Sequence, residues 1–158
     1  MHSIIGSYLK FIWKSNNAHG VHSPFVFNFM NACFYENPEE NSKKLISNYR
    51  KKLVSDNRMI QVKDFGAGSR VFKSNQRRVG AIAKNAGISL KNAYLLSQIT
   101  RFLKPEKVLE IGTSLGLATI AILSQNSQCK LTSLEVCPET ANVARENLNI
   151  FADSIKFE

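Results

Sequence analysis

The sequence predicts an α/β protein in which an N-terminal helical region precedes the first β-α-β-α-β part of a parallel, doubly wound sheet. Helical periodicity of apolar residues dominates residues 1–106, whereas from residue 107 short strand-like runs alternate with helical segments. The 158 residues, 44% of them hydrophobic, suit one globular domain with a small extension. We therefore predict a helical region at 1–106 and a partial parallel-sheet domain at 107–158.

Two helices are predicted at the N-terminus. The first is amphipathic, because Ile5, Leu9 and Ile12 fall on one helical face. The second begins after Ser23-Pro24, an N-cap residue followed by proline at the first helical position. Residues 24–34 are apolar on most sides, so this helix should be buried or contact a partner.

Three further helices precede the sheet region. The first should start at Asn37-Pro38 and carry one apolar stripe, while residues 57–75 look irregular or weakly extended. Pro105 should close the helical region. The helices are expected at residues 38–54, 76–86 and 90–103.

The sheet region contains three strand-like runs and two helices. The first two runs each end near an acidic residue, and each is followed at once by a helix. This β-α-β-α-β order predicts a parallel, doubly wound sheet. The strands are expected within 107–112, 130–136 and 154–158, and the helices within 117–125 and 138–151.

Two glycine-containing loops could approach a nucleotide, EIGTSLGLAT at 110–119 and DFGAGSR at 64–70. The first meets the positional requirements, because it follows a buried strand, has glycines at 112 and 116, and leads directly into a helix. The second follows a run broken by polar residues and precedes no clear helix start. We interpret 64–70 as a structural turn, with a loop that folds over the ligand as the alternative.

The ligand follows from the spacing of these residues. Counting from Gly112, a dinucleotide fingerprint would need glycines where Ser114 and Leu117 stand, and no phosphate-loop motif is present. Glu135, at the end of the next strand, is placed to accept hydrogen bonds from ribose hydroxyls. Glu110 is placed to meet an ammonium group, and the helix start favours a carboxylate. These features suit S-adenosylmethionine.

The runs VLEIGTSLGLAT and SLEVCPETANVARENL resemble the first two motifs of class I S-adenosylmethionine-dependent methyltransferases, nearest the O-methyltransferase branch. HGVHSPFVF at 19–27 and DFGAGSR are similar to stretches of bacterial proteins assigned to that class. The resemblance implies a Rossmann-like fold and a methyl transfer, with Glu135 on the ribose. It implies further cofactor contacts at Glu110, Gly112, Thr113, Ser114 and Gly116.

The resemblance has one departure and one gap. The O-methyltransferase pattern commonly has a hydroxyl residue at Ala118 that binds the carboxylate, so either Thr119 substitutes or the contact is missing. Residues 107–158 provide about three strands of the sheet, so the chain is expected to be either the N-terminal part of a longer protein or a truncated relative. The catalytic residues of such an enzyme are therefore not assigned and would lie beyond Glu158. The open sheet edge predicts self-association, such as a homo-oligomer, or partner binding, or low stability.

The predicted function is methyl transfer to a small-molecule acceptor, at oxygen. His19 and His22 are interpreted as capping and packing residues, with catalysis at a substrate entrance as the alternative. Two other functions stay open. Residues 1–106 hold 17 of the 21 lysines and arginines against 6 of the 12 acids, a net charge of +11, which suits RNA as a methyl acceptor. The apolar 24–34 helix would suit a non-catalytic interaction module.

Composition argues against other classes. No apolar run reaches the roughly 20 residues of a membrane span, so no membrane partner is expected. The three cysteines have no metal-ligand spacing, so we expect no metal site. Reduced thiols predict a cytoplasmic location.

Overall fold

A computed structural model describes residues 2–15, 20, 22–63 and 71–158. The chain divides into two compact units, Met1–Asn37 and Pro38–Glu158. The division into regions 1–106 and 107–158 stays a prediction. The loop 64–70 and His19 lie outside the described residues.

The first unit is helical, as predicted. Its helices are α1 (His2–Lys14) and α2 (Pro24–Met30), and a π-type turn, Asn31–Tyr35, extends α2. The Ser23 hydroxyl caps α2 by accepting a hydrogen bond from the Val26 N–H at 3.4 Å. The expected burial of the 24–34 segment is seen at Cys33, whereas α2 itself contains no buried residue.

The second unit begins with three helices, α3 (Glu40–Ser55), α4 (Val79–Asn85) and α5 (Leu90–Leu103). The apolar stripe predicted on the first of them is confirmed, because Ile46, Tyr49 and Leu53 are all buried. A stripe of this kind needs a surface to pack on. It finds that surface in a single core that also contains Ile120 and Leu148 from the sheet region.

One part of the helix prediction is wrong. Residues 76–78, expected to open a helix, form strand β2 (Gln76–Arg78), which pairs antiparallel with β1 (Met59–Gln61). The physical reason is tertiary pairing, since an isolated QRR run has no local preference for a strand. Helix α4 starts only at Val79, whose N–H donates to the Arg58 carbonyl at 2.9 Å.

The predicted β-α-β-α-β unit is confirmed. Strands β3 (Lys107–Ile111), β4 (Lys130–Leu134) and β5 (Ile155–Phe157) form a parallel sheet in that order. Helix α6 (Leu117–Leu123) connects β3 to β4, while α7 (Pro138–Asn147) and a 3-10 turn (Asn149–Ser154) connect β4 to β5. Gly112 lies directly after β3 and Glu135 directly after β4. Parallel strands end at the same edge, so this topology brings the two residues to one rim.

The two faces of this sheet differ. Leu131 and Ser133 of β4 point to the covered face and are buried, whereas Leu109 and Ile111 of β3 are 62% and 81% exposed on the other face. Among the described residues, none of the helices is both long and apolar enough to cross a membrane.

Candidate functional site

The turn after β3 lies against the end of β4. The N–H groups of Gly112 and Thr113 both donate to the Leu134 carbonyl, at 2.8 and 3.2 Å. This confirms that the glycine turn occupies the carboxyl rim of a parallel sheet, which is where α/β proteins bind ligands.

Every second residue of the turn, from Gly112 to Gly116, has a positive φ angle. Gly112, Ser114 and Gly116 have φ angles of +90°, +50° and +81°. For Ser114, which has a side chain, this conformation costs about 1–3 kcal/mol and persists only when the surroundings enforce it. The enforcing contact is a hydrogen bond from the Ser114 N–H to Oε2 of Glu135 at 2.6 Å.

Glu135, at the end of β4, connects two backbone N–H groups at the rim through its carboxylate. Its second oxygen, Oε1, accepts a hydrogen bond from the Cys137 N–H at 2.9 Å, at the start of α7. A carboxylate has about four acceptor positions, so two backbone bonds leave capacity for further donors such as hydroxyl groups. The predicted proximity of Glu135 to the glycine turn is therefore present.

Glu110, the last inward-facing residue of β3, is buried behind the turn. Its Oε2 accepts hydrogen bonds from the Thr119 hydroxyl at 2.7 Å and from the Ser133 hydroxyl. Because Ser133 uses its one proton on Glu110, the Thr113 hydroxyl must be the donor in its 2.5 Å contact with Ser133. A chain of hydroxyls thus links Glu110 to the turn.

The other oxygen of Glu110, Oε1, is buried and has no hydrogen-bond partner among the described residues. Burial raises the pKa of this carboxyl, while the hydrogen bonds from Ser133 and Thr119 oppose the rise and the nearby Glu135 charge adds to it. An unpaired buried carboxylate oxygen is costly. Glu110 is therefore poised to accept a hydrogen bond from a cationic donor.

Thr119 cannot reach a ligand at the rim. Its side chain is fully buried and donates to Glu110, so it does not replace the hydroxyl that Ala118 lacks. Gly116 is explained by packing, because a Cβ there would lie 2.7 Å from both the Tyr49 hydroxyl and Cδ1 of Leu148. Cofactor contact at Gly116 stays a prediction.

Helix α3 reaches the turn, a contact that no sequence pattern indicates. The buried Tyr49 hydroxyl donates to the Leu115 carbonyl at 2.7 Å. Burial, reinforced by the charge of Glu110, raises the pKa of Tyr49 above its ordinary value, so the phenol stays a neutral donor. The sequence signal was present, since Tyr49 lies on the predicted apolar stripe, but the stripe does not reveal a partner 66 residues away.

A cavity of about 60 Å³ lies between the turn, α3 and the end of α4. Of the predicted site residues, Gly112, Thr113 and Ser114 line it, whereas Glu110, Gly116 and Glu135 surround the turn without lining it. The remaining lining residues were not anticipated; they are Arg50, Leu53, Ala83, Ala86, Gly87, Ile88, Leu115, Leu117 and Ala118.

Arg50 is the one charged side chain among the described residues that line this cavity. Its Nε is buried and has no hydrogen-bond partner within the described part of the chain. His22, by contrast, is exposed in the first unit. The described residues contain no cluster of His, Cys, Asp and Glu that could hold a metal ion.

No family model matches the chain, and no curated protein matches it. Three similar solved structures are described as methyltransferases. An O-methyltransferase from Bacillus cereus in complex with SAH is 15% identical, with a TM-score of 0.44, over 84% of this chain and 48% of that chain. A Klebsiella pneumoniae protein assigned as an O-methyltransferase is 18% identical, with a TM-score of 0.45, over 84% of this chain and 48% of that chain.

A Pyrococcus horikoshii protein assigned as an RNA methyltransferase is 19% identical, with a TM-score of 0.42, over 75% of this chain and 50% of that chain. The chain therefore spans about half the length of the solved structures it matches.

Proposed function

We propose that this chain is the cofactor-binding part of an S-adenosylmethionine-dependent methyltransferase that acts on a small-molecule acceptor, at oxygen. One observation carries the proposal. The glycine turn, the orphaned carboxylate oxygen of Glu110 and the carboxylate of Glu135 converge on one rim of a parallel sheet.

The side chains present fit this cofactor. Oε1 of Glu110 lacks a donor, and an ammonium group would supply one with a favourable charge. A Cβ built on Gly112 would meet nothing within 4 Å, so the backbone there borders open space. Glu135 keeps acceptor capacity for the two hydroxyls of a ribose. None of these groups requires a phosphate, which agrees with the absence of a phosphate-loop motif.

The chain's own contribution would be positioning. The bound cofactor would supply an electrophilic methyl group on a sulfonium, which an acceptor oxygen takes. Glu110, Glu135 and the backbone of 112–114 would fix that cofactor at the rim before reaction. Alignment of this kind removes translational and rotational freedom from the reacting groups, a large share of the barrier in bimolecular reactions.

RNA as the acceptor is the alternative, favoured by one observation. Lys44, Lys51 and Lys52 are exposed on α3, within the region of net charge +11. Phosphate contacts would make RNA binding fall steeply with salt. We expect no such binding at low salt, measured by filter retention of a short single-stranded RNA; strong, salt-sensitive retention would instead support the RNA alternative.

A reducing, cytoplasmic location accompanies the proposal. Cys33, Cys129 and Cys137 are all buried and none of them forms a disulfide, which is typical of compartments where thiols stay reduced. Fractionation of the source cells followed by thiol labelling under denaturing conditions tests this; a disulfide-linked form in a secreted fraction would contradict it.

Calorimetric titration with S-adenosylhomocysteine and with NAD tests the cofactor assignment. We expect binding of the first and none of the second. Glu135→Gln should weaken S-adenosylhomocysteine binding by at least about tenfold, the effect of a lost charged hydrogen bond. Glu139→Gln, an exposed change in the first turn of α7, is the matched control. Absence of binding by the unchanged chain at millimolar ligand would refute the proposal.

A further inference from the structure

We infer that Arg50, on a helix outside the β-α-β-α-β unit, binds the carboxylate at the amino-acid end of the cofactor. This inference rests on the proposed function. It assigns a binding role to a residue that no sequence motif identified, and it follows from the local chemistry of the cavity beside the glycine turn.

The first step is the lack of a strong neutral partner for that carboxylate. Ala118 has no polar group, and the Thr119 hydroxyl is fully buried with its proton on Glu110. A helix N-terminus alone favours an anion by only about 0.3–1 kcal/mol, and α6 has just seven residues. Ser114 offers a neutral hydroxyl at the cavity, and a charged donor would hold an anion more strongly than either of these groups.

The second step is that Arg50 is both close and unsatisfied. It lines the cavity together with Gly112, Thr113 and Ser114. Its Nε is buried without a hydrogen-bond partner in the described part of the chain, and most of the cavity wall around it is apolar. Leaving a buried charged donor unpaired is costly, and an anion in the cavity would remove that cost.

The third step concerns the size of the ligand group. One water molecule needs roughly 10–15 Å³ measured in this way. A cavity of about 60 Å³ therefore accommodates a group of a few heavy atoms. A carboxylate has that size, and its two oxygens match the planar guanidinium fork.

The fourth step is a charge match across the turn. Among the described residues, two buried side-chain atoms lack a hydrogen-bond partner, Nε of Arg50 and Oε1 of Glu110. Arg50 lines the cavity together with Thr113, and Glu110 is linked to Thr113 through the Ser133 hydroxyl. One cation and one anion left open beside the same turn complement the carboxylate and ammonium of an amino acid.

Two ligands that differ at the amino-acid end test the inference. S-adenosylhomocysteine carries the carboxylate, whereas 5′-methylthioadenosine lacks the whole amino-acid end. We expect Arg50→Gln to weaken S-adenosylhomocysteine binding by about 10- to 100-fold in calorimetry, and to leave 5′-methylthioadenosine binding unchanged. Lys51→Gln, an exposed neighbour on the same helix, should change neither.

Thermal unfolding separates binding from a structural role. Arg50→Met removes an unpaired buried donor at similar volume, so the ligand-free Tm should stay constant or rise, while the Tm increase caused by S-adenosylhomocysteine should be lost. A fall in the ligand-free Tm with equal weakening of both ligands would assign Arg50 a structural role and overturn the inference.

Two further results separate the role of Arg50 from the proposed function on which it rests. Equal S-adenosylhomocysteine affinity in Arg50→Gln and the unchanged chain would overturn the inference and leave the proposed function standing. Failure of the unchanged chain to bind either ligand would overturn the proposed function, and with it the role of Arg50.

Discussion

Glu135 and Ser114 are joined by a 2.6 Å hydrogen bond from the backbone N–H of Ser114 to Oε2 of the carboxylate. The bond connects the end of β4 to the turn after β3 and supports a left-handed conformation at Ser114, where φ is +50°. The carboxylate proposed to bind ribose therefore also shapes the turn. Substitutions at Glu135 should affect the stability of the free protein as well as ligand binding.

Removing this carboxylate should lower the stability of the protein, and alanine at this position should lower it more than glutamine. Glu135→Ala leaves the N–H groups of Ser114 and Cys137 without their acceptor, whereas the amide oxygen of Glu135→Gln can still accept from one of them. We expect losses of about 1–3 kcal/mol for alanine and less for glutamine, measured by urea denaturation. Equal stability of alanine variant and unchanged chain would show that the bond does not shape the turn.

Glu110 should make stability fall as pH rises. Burial raises the folded-state pKa of this carboxyl, so between its unfolded and folded pKa values the folded state binds more protons than the unfolded state. The free energy of unfolding then declines as pH rises through that window. Urea denaturation from pH 4 upward measures this decline in the free energy of unfolding. We expect the decline to be smaller in Glu110→Gln than in the unchanged chain.

Asp56 provides a comparison, because its carboxyl should make stability change with pH in the opposite direction. Its hydrogen bond with Arg58 lowers the pKa of the Asp56 carboxyl, so its contribution is present above the unfolded pKa and is lost as pH falls through the folded pKa. Above the unfolded pKa of Asp56, the substitution Asp56→Asn should therefore lower the free energy of unfolding, whereas Glu110→Gln should not. If both variants changed the pH profile in the same direction, the burial assigned to Glu110 would be wrong.

Gly116→Ala should be strongly destabilising. The new Cβ would lie 2.7 Å from the Tyr49 hydroxyl and from Cδ1 of Leu148, at a φ of +81°. We expect a loss of at least about 2 kcal/mol from overpacking together with backbone strain. Gly87→Ala is the control, because its φ is +82° but a Cβ there meets nothing within 4 Å. Equal losses in the two variants would mean that strain alone operates.

The exposed face of β3 should drive self-association. Leu109 and Ile111 are 62% and 81% exposed beside each other on the sheet, and contiguous apolar surface of this kind favours contacts between copies. We propose a homo-oligomer formed through this face. Ile111→Lys should shift light-scattering mass toward the monomer, whereas Ile150→Lys, at an equally exposed site away from the strand (79%), should not. A monomeric unchanged chain at high concentration would refute this proposal.

The sheet region was predictable because its signals are local. Gly112 and Gly116 mark the turn, and Pro138 occupies the first position of α7 as its sequence context indicates. Strand β2 was missed because its conformation depends on pairing with β1, a partner that the QRR run does not encode. Local patterns also could not tell that Thr119 faces Glu110 instead of the rim.

The contacts that α3 makes with the glycine turn and the cavity could not be predicted from the sequence either. Tyr49 and Arg50 are neighbours in sequence, and the apolar stripe predicts that Tyr49 is buried. The same pattern does not show that the Tyr49 hydroxyl bonds the Leu115 carbonyl or that Arg50 lines the cavity. Such contacts arise only when helices distant in sequence pack together, which periodicity cannot specify.

The bonds from Tyr49 to Leu115 and from Ser114 to Glu135 anchor consecutive residues of the glycine turn, one to helix α3 and one to the end of β4. A ligand reaching this rim meets a loop whose geometry was fixed when the chain folded, so little ordering is left for the binding step. Association should then follow a single exponential whose rate rises linearly with ligand concentration, without the plateau that a slow rearrangement would impose.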